Sequence, residues 1–96
     1  MIRIVKMHFA TEHIKAFETL FEQRKNNIRN CEGCTALTLL QDIHTPNIFF
    51  TYSHWQTEFY LNQYRDSELF ADTWQTVKQW FAAKPEAWSV NDVVNL

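Results

Sequence analysis

The run Ile48-Phe49-Phe50-Thr51-Tyr52-Ser53-His54-Trp55 constrains this chain more than any other stretch. β-Branched and aromatic residues alternate there with small polar ones, which is the pattern of a strand. The spacing then turns helical from Thr57 to about Tyr64, with Thr57 placed to cap the new helix. A strand thus hands its chain directly to a helix. Seven of the fifteen Phe, Tyr and Trp residues fall between Phe49 and Tyr64, more than a plain core needs. Either a pocket or a protein interface is expected at this corner.

The flanking segments extend the pattern. Ile2 to Phe9 alternates, with Ile2, Ile4, Lys6 and His8 on one face and Arg3, Val5, Met7 and Phe9 on the other. Both faces carry apolar residues, so both are expected to be covered. Between Thr11 and Ile28 the period lengthens to that of an amphipathic helix, through Ile14, Phe17, Leu20, Phe21, Arg24 and Ile28. Glu12, Lys15, Glu18, Glu22 and Lys25 form its solvated side. Asn26, Asn27, Asn30 and the single glycine, Gly33, mark the exit, because Asn and Gly tolerate left-handed backbone. Thr35 to Gln41 reads as a second strand, and Asp42 to Asn47 as the turn that pairs it antiparallel with Ile48–Trp55.

After the first short helix, Asp66-Ser67 offers a fresh cap for a second. There Leu69, Phe70, Trp74, Val77 and Phe81 keep helical spacing until Lys84-Pro85. Ala87 to Val94 alternates weakly and reads as a last strand or, in part, as a tail. The order β-α-β-β-α-β predicts an α+β, ferredoxin-like domain over residues 1–96, a four-stranded antiparallel sheet with its helices on one face. Ile48, Phe50, Tyr52 and His54 then occupy the face without helices. An apolar face of that kind implies a partner, here a second copy in a homodimer.

Charge and composition narrow the function classes. With 9 basic and 11 acidic residues the net charge is −2, and the basic residues are scattered, so no nucleic-acid footprint is present. No apolar run approaches the roughly 18 residues of a membrane span, and Met1 to Lys6 is too short and charged for a signal peptide. The expectation is a soluble, cytoplasmic protein. Cys31-Glu32-Gly33-Cys34 has C-x-x-C spacing. It follows a helix and precedes a strand, the reverse of a thioredoxin-type centre, and lacks the second ligand pair of a zinc site. A turn with two partly buried thiols is expected.

The element order, the Glu32-Gly33-Cys34 turn, the aromatic strand ending in Trp55 and the segment Tyr64-Arg65-Asp66-Ser67-Glu68-Leu69-Phe70 together resemble the antibiotic biosynthesis monooxygenase (ABM) domain of the dimeric α/β-barrel superfamily. The resemblance spans nearly the whole chain and implies homodimers whose sheets pack face to face. Haem-degrading members use an Asn on strand 1, a Trp after strand 3 and a haem-ligating His on the next helix. Here Val5 and Met7 stand nearest the Asn, Tyr64 at the Trp and Trp74 at the His. By this resemblance the iron ligand is missing. Cofactor-free members, which oxidise hydroquinone-like aromatics with dioxygen, place an Asn four residues before the strand-terminal Trp and a Tyr six after it. Trp55 matches that Trp, Thr51 stands at the Asn, and Leu61 at the Tyr, with Tyr60 and Tyr64 as neighbours able to substitute. In quinol-oxidase and autoinducer-processing relatives a His lies near the position of Glu68.

The resemblance therefore implies Trp55, Tyr64 and Thr51 as catalytic candidates, with Met7, Phe49, Ser53, Tyr60, Phe70 and Trp74 lining a substrate site. No cofactor or metal is expected. His8 and His54 are candidate bases that alternation assigns to the face opposite Met7 and Trp55, while His13 and His44 are expected at the surface. The competing expectation is a non-catalytic dimeric domain that binds a small apolar ligand. A pocket lined by Thr51, Trp55 and Tyr64 with a polar group inside favours the enzyme; a space filled by Phe70 and Trp74 favours the binding domain.

Overall fold

The central strand is the first one. In the computed structural model, which describes residues 1–96, β1 (Ile2–His8) lies between β3 (Ile48–Trp55) and β4 (Glu86–Val90), with β2 (Cys34–Gln41) outside β3. All pairings are antiparallel. Helices α1 (Ile14–Arg29), α2 (Glu58–Arg65) and α3 (Glu68–Val77) complete the ferredoxin-like α+β order expected from the sequence, with one helix split in two. No helix is long and apolar enough to cross a membrane.

Several boundaries differ from expectation for local reasons. Phe9 leaves the β1 ladder and bridges to Phe81 instead. A 3₁₀ turn at Thr11–His13 precedes α1. Thr57 is the N-cap of α2, which starts at Glu58, and has the extended backbone of a cap, but its side chain makes no capping bond. Ser67 does cap α3. Its Oγ accepts from the Phe70 N–H at 3.2 Å and donates to the Tyr64 carbonyl at 2.6 Å, joining the two helices at one hydroxyl. Strand β4 stops at Val90 rather than Val94, because Val90 already stands opposite Ile2, where β1 starts.

The β2–β3 turn is held by Asp42, whose Oδ2 accepts from the N–H groups of His44 (3.0 Å) and Thr45 (2.7 Å). Those two bonds hold its carboxyl below the usual range. At the opposite end Gly33 adopts φ 83°, the chain's one left-handed residue, and turns α1 into β2.

The helix-facing side of the sheet carries Arg3, Val5 and Met7 of β1 beside Phe49, Thr51, Ser53 and Trp55 of β3. Met7, Phe9, Phe17, Leu20, Phe49 and Val77 form the main core, in which Phe9 stacks on Phe17 at 4.2 Å. Burying one such side chain contributes roughly 1.5–3 kcal/mol, so this end of the sheet is the anchored one. A smaller cluster of Cys34, Trp55 and Leu61 secures α2. Arg24, read from the sequence as part of the α1 apolar stripe, instead reaches Asp72 of α3 at 2.9 Å. The opposite face of the sheet bears no helix. There Leu40, Trp88 and Val90 are exposed, while Ile48, Phe50 and Tyr52 are half-buried by their neighbours alone.

Candidate functional site

Strand β3 changes size along its helix-facing side, and that change opens a cavity. Phe49 fills the space under α1, but Thr51 and Ser53 are too small to reach the helices above them. The result is a cavity of about 380 Å³ between sheet and helices. Val5, Met7, Thr51, Ser53 and Trp55 form its floor, and Phe17, Phe21, Leu61, Tyr64, Phe70, Trp74 and Val77 its roof, with Pro85 to Ala87 at one edge. That volume lies within the roughly 300–1,000 Å³ of small-molecule sites.

One wall is a continuous aromatic series. Trp55 stacks on Tyr64 (5.3 Å, 22°), Tyr64 meets Phe70 edge-on (5.3 Å, 83°), and Phe70 stacks on Trp74 (5.9 Å, 6°). Phe70 and Trp74 therefore pack on each other and bound the space without filling it. The ring edges and faces they present suit a flat aromatic ligand.

Polar groups in the wall differ in availability. The Trp55 indole N–H donates to Ser53 Oγ at 3.0 Å, deep in the structure, so Ser53 fixes the ring while satisfying its only donor. Ser53 Oγ in turn lies 3.5 Å from the Arg3 carbonyl. Burial, with smaller contributions from the Cys31 and Cys34 thiols, pushes the Tyr64 phenol well above its ordinary value of 10.0. At neutral pH that hydroxyl stays protonated and can only donate to an anion or accept as a neutral group. Thr73 Oγ1 is buried in the wall with no hydrogen-bond partner.

Of the residues anticipated from the sequence, Thr51, Trp55, Tyr64, Met7, Ser53, Phe70 and Trp74 converge on the cavity. Phe49 and Tyr60 do not. Phe49 lies in the core against Phe9 and Phe17, and Tyr60 packs on the backbone of Gly33. Arg3, Arg65 and Thr73 line the cavity but escaped the sequence reading. Arg3 carried a usable signal: it is the one charge on a β1 face otherwise made of Val5, Met7 and Phe9.

No histidine lines the cavity, so the iron ligand of haem-degrading proteins has no counterpart and the residues present do not fit that group. His8 and His54 lie on the helix-free face, opposite Ile48 and Ile2 respectively. No three His, Cys, Asp or Glu side chains converge as a metal site. Cys31 and Cys34 are free thiols whose Sγ atoms donate to the Asn27 (3.3 Å) and Ala36 (3.6 Å) carbonyls. Burial raises both above the ordinary thiol value, which disfavours the reactive thiolate.

A four-stranded antiparallel sheet with helices over one face and an aromatic cavity between the layers defines a ferredoxin-like α+β domain. The chain belongs to the antibiotic biosynthesis monooxygenase family, whose model matches residues 1–76. Among solved structures, a Nitrosomonas europaea protein carrying the same family name is 17% identical with a TM-score of 0.89, over 97% of this chain and 98% of that one. A second antibiotic biosynthesis monooxygenase is also 17% identical, with a TM-score of 0.89 over 98% and 100% of the two chains. A conserved protein from Methanosarcina mazei Go1 is 23% identical, covering 90% of this chain and 86% of its own, with a TM-score of 0.84. At these identities the likeness is one of fold. No curated protein matches the chain.

Proposed function

We propose that the protein oxygenates a small electron-rich aromatic, of the hydroquinone or polyphenol class, with dioxygen and without cofactor or metal. The observation that carries this reading is the aromatic-walled cavity of about 380 Å³ in which Thr51, Trp55 and Tyr64 meet. A hydroquinone supplies its own electrons. One oxygen atom enters the ring, the other leaves as water, and the product is the hydroxylated quinone, so atoms and electrons balance with dioxygen as sole oxidant. The protein's part is to exclude water, to hold the ring against Trp55 and Trp74, and to stabilise the phenolate. Tyr64 is the donor suited to that anion, since its own phenol stays neutral. Trp55 shapes the site through its ring, because its N–H is committed to Ser53.

The proposal includes a cytoplasmic homodimer formed through the helix-free face. Exposed Leu40, Trp88 and Val90 beside Phe50 and Tyr52 support the interface, and two free thiols support a reducing compartment. A second reading, a dimeric domain that binds an apolar ligand without turnover, is favoured by one observation, the mutual saturation of Trp55 and Ser53. Oxygen uptake with a panel of hydroquinones in the presence of a chelator separates the two. Consumption above autoxidation supports the enzyme; binding without consumption supports the second reading.

A further inference from the structure

We infer that the ligand of the cavity carries a carboxylate, which Arg3 and Arg65 hold at the mouth while its ring occupies the aromatic interior. The inference rests on the reading of the cavity as a ligand site and adds the ligand's charge to it. Both arginines line the cavity. Arg3 comes from the central strand, between Ser53 and Ser89 of the neighbouring strands, and its Nη1 donates to Ser89 Oγ at 3.0 Å. Arg65 is the last residue of α2 and hydrogen-bonds to no other side chain. The ion pairs of the chain are Arg24–Asp72 and Lys25–Glu22, so neither Arg3 nor Arg65 has a carboxylate within 4.0 Å.

Two like charges face one cavity, and no carboxylate forms an ion pair with either of them. Partial burial lowers the Arg3 pKa, the nearby Arg65 lowers it further, and Glu58 opposes them more weakly. Glu86 does not neutralise the pair from inside. It lies at the cavity edge but makes no ion pair with either arginine, and it stands opposite Lys6 in the ladder, which by alternation puts its side chain on the helix-free side. A planar carboxylate bridging two guanidinium groups removes their repulsion and gains charge-assisted hydrogen bonds, which arginine forms with better geometry than lysine. The remaining arginines are already engaged, Arg24 with Asp72 and Arg29 with the Cys34 carbonyl. The free cationic capacity of this chain's arginines is therefore concentrated at the one aromatic cavity.

The test compares two probes of nearly equal shape, 2-naphthoate and 2-naphthalenemethanol, by calorimetric titration of the wild-type protein at low and moderate salt. The carboxylate is expected to bind at least about tenfold more tightly than the alcohol, with a preference that shrinks as salt rises. Arg65→Gln, a change at an exposed helix end, should cut that preference severalfold. Arg3→Gln combined with Arg65→Gln should abolish it while leaving the alcohol's affinity within about twofold. Equal binding of both probes by the wild type overturns the carboxylate inference and leaves the cavity reading standing. A preference that survives the double substitution overturns the assignment to these arginines. Failure of both probes to bind overturns the cavity reading and this inference with it.

Discussion

Replacing Gly33 with Ala tests how tightly the turn and the site are joined. Gly33 has φ 83°, a region that costs an L-residue about 1–2 kcal/mol. A Cβ there would lie 2.2 Å from Cγ and 2.3 Å from Cβ of Tyr60. Those atoms are at the root of the side chain, so rotating the ring cannot relieve the contact and α2 itself must move. Overpacking of that kind costs about 1–3 kcal/mol, against a gain of about 0.4–1 kcal/mol from stiffening the unfolded chain. The net expectation is a loss of about 1–4.5 kcal/mol, or about 5–25 °C in melting temperature for a domain of this size. Urea denaturation followed by circular dichroism measures the first figure and a thermal scan the second. Truncating Tyr60 to Ala in the same chain removes the contact with Cγ but keeps the one with Cβ, so it should relieve part of the clash and none of the backbone cost. A single variant within 1 kcal/mol of wild type, or a double variant showing strict additivity, refutes the reasoning.

Four further outcomes are expected. Ser53→Ala leaves the buried Trp55 indole N–H without an acceptor and should cost about 1–3 kcal/mol in a urea titration. If the proposed oxygenation operates, Trp55→Phe, which shrinks the ring that positions the substrate, should lower turnover at least about tenfold by oxygen electrode while light scattering shows the assembly intact. Because the folded-state pKa of Tyr64 lies above its unfolded value, its contribution to stability is complete below pH 10 and declines as pH rises beyond it. Tyr64→Phe should therefore flatten the alkaline limb of the stability profile, leaving the smaller decline due to Cys31 and Cys34, whose shifts have the same sign. Phe50→Asp should give monomer or aggregate by light scattering, since it puts a charge at the centre of the helix-free face; an unchanged dimer would discard that interface.

Strand β3 was legible to the residue, because Ile48 to Trp55 combines alternation, β-branched side chains and flanking turn chemistry in one run. The cap at Ser67 was equally plain, and the family resemblance agreed with the fold. What escaped was tertiary. Tyr60 and Tyr64 have the same helical periodicity, yet one packs on a turn and the other on Trp55, a difference set by where α2 crosses the sheet. Phe49 and Thr51 share a face, but only a knowledge of which helix lies above each distinguishes core from cavity floor. The commitment of the Trp55 N–H to Ser53 follows from rotamers that no spacing encodes. Arg3 was readable in principle as a charge among apolar neighbours; Arg65, at a helix end, looks in sequence like any solvated arginine.

The position of β1 in the sheet also governs how the molecule can be made. Its two hydrogen-bonded neighbours are the third and fourth strands, so Ile2 waits for His54 on one side and Val90 on the other. During synthesis the helices and the β2–β3 hairpin can form from local contacts, whereas the first strand stays unpaired until β3 has emerged and lacks its second neighbour until β4 follows. Long-range closure of this sort slows folding and lengthens the exposure of apolar strands. Ile2, Ile4, Val5 and Met7 form the segment exposed for longest, which makes Arg3 and Lys6, set among them, the charges that keep the nascent chain from pairing with another copy of itself.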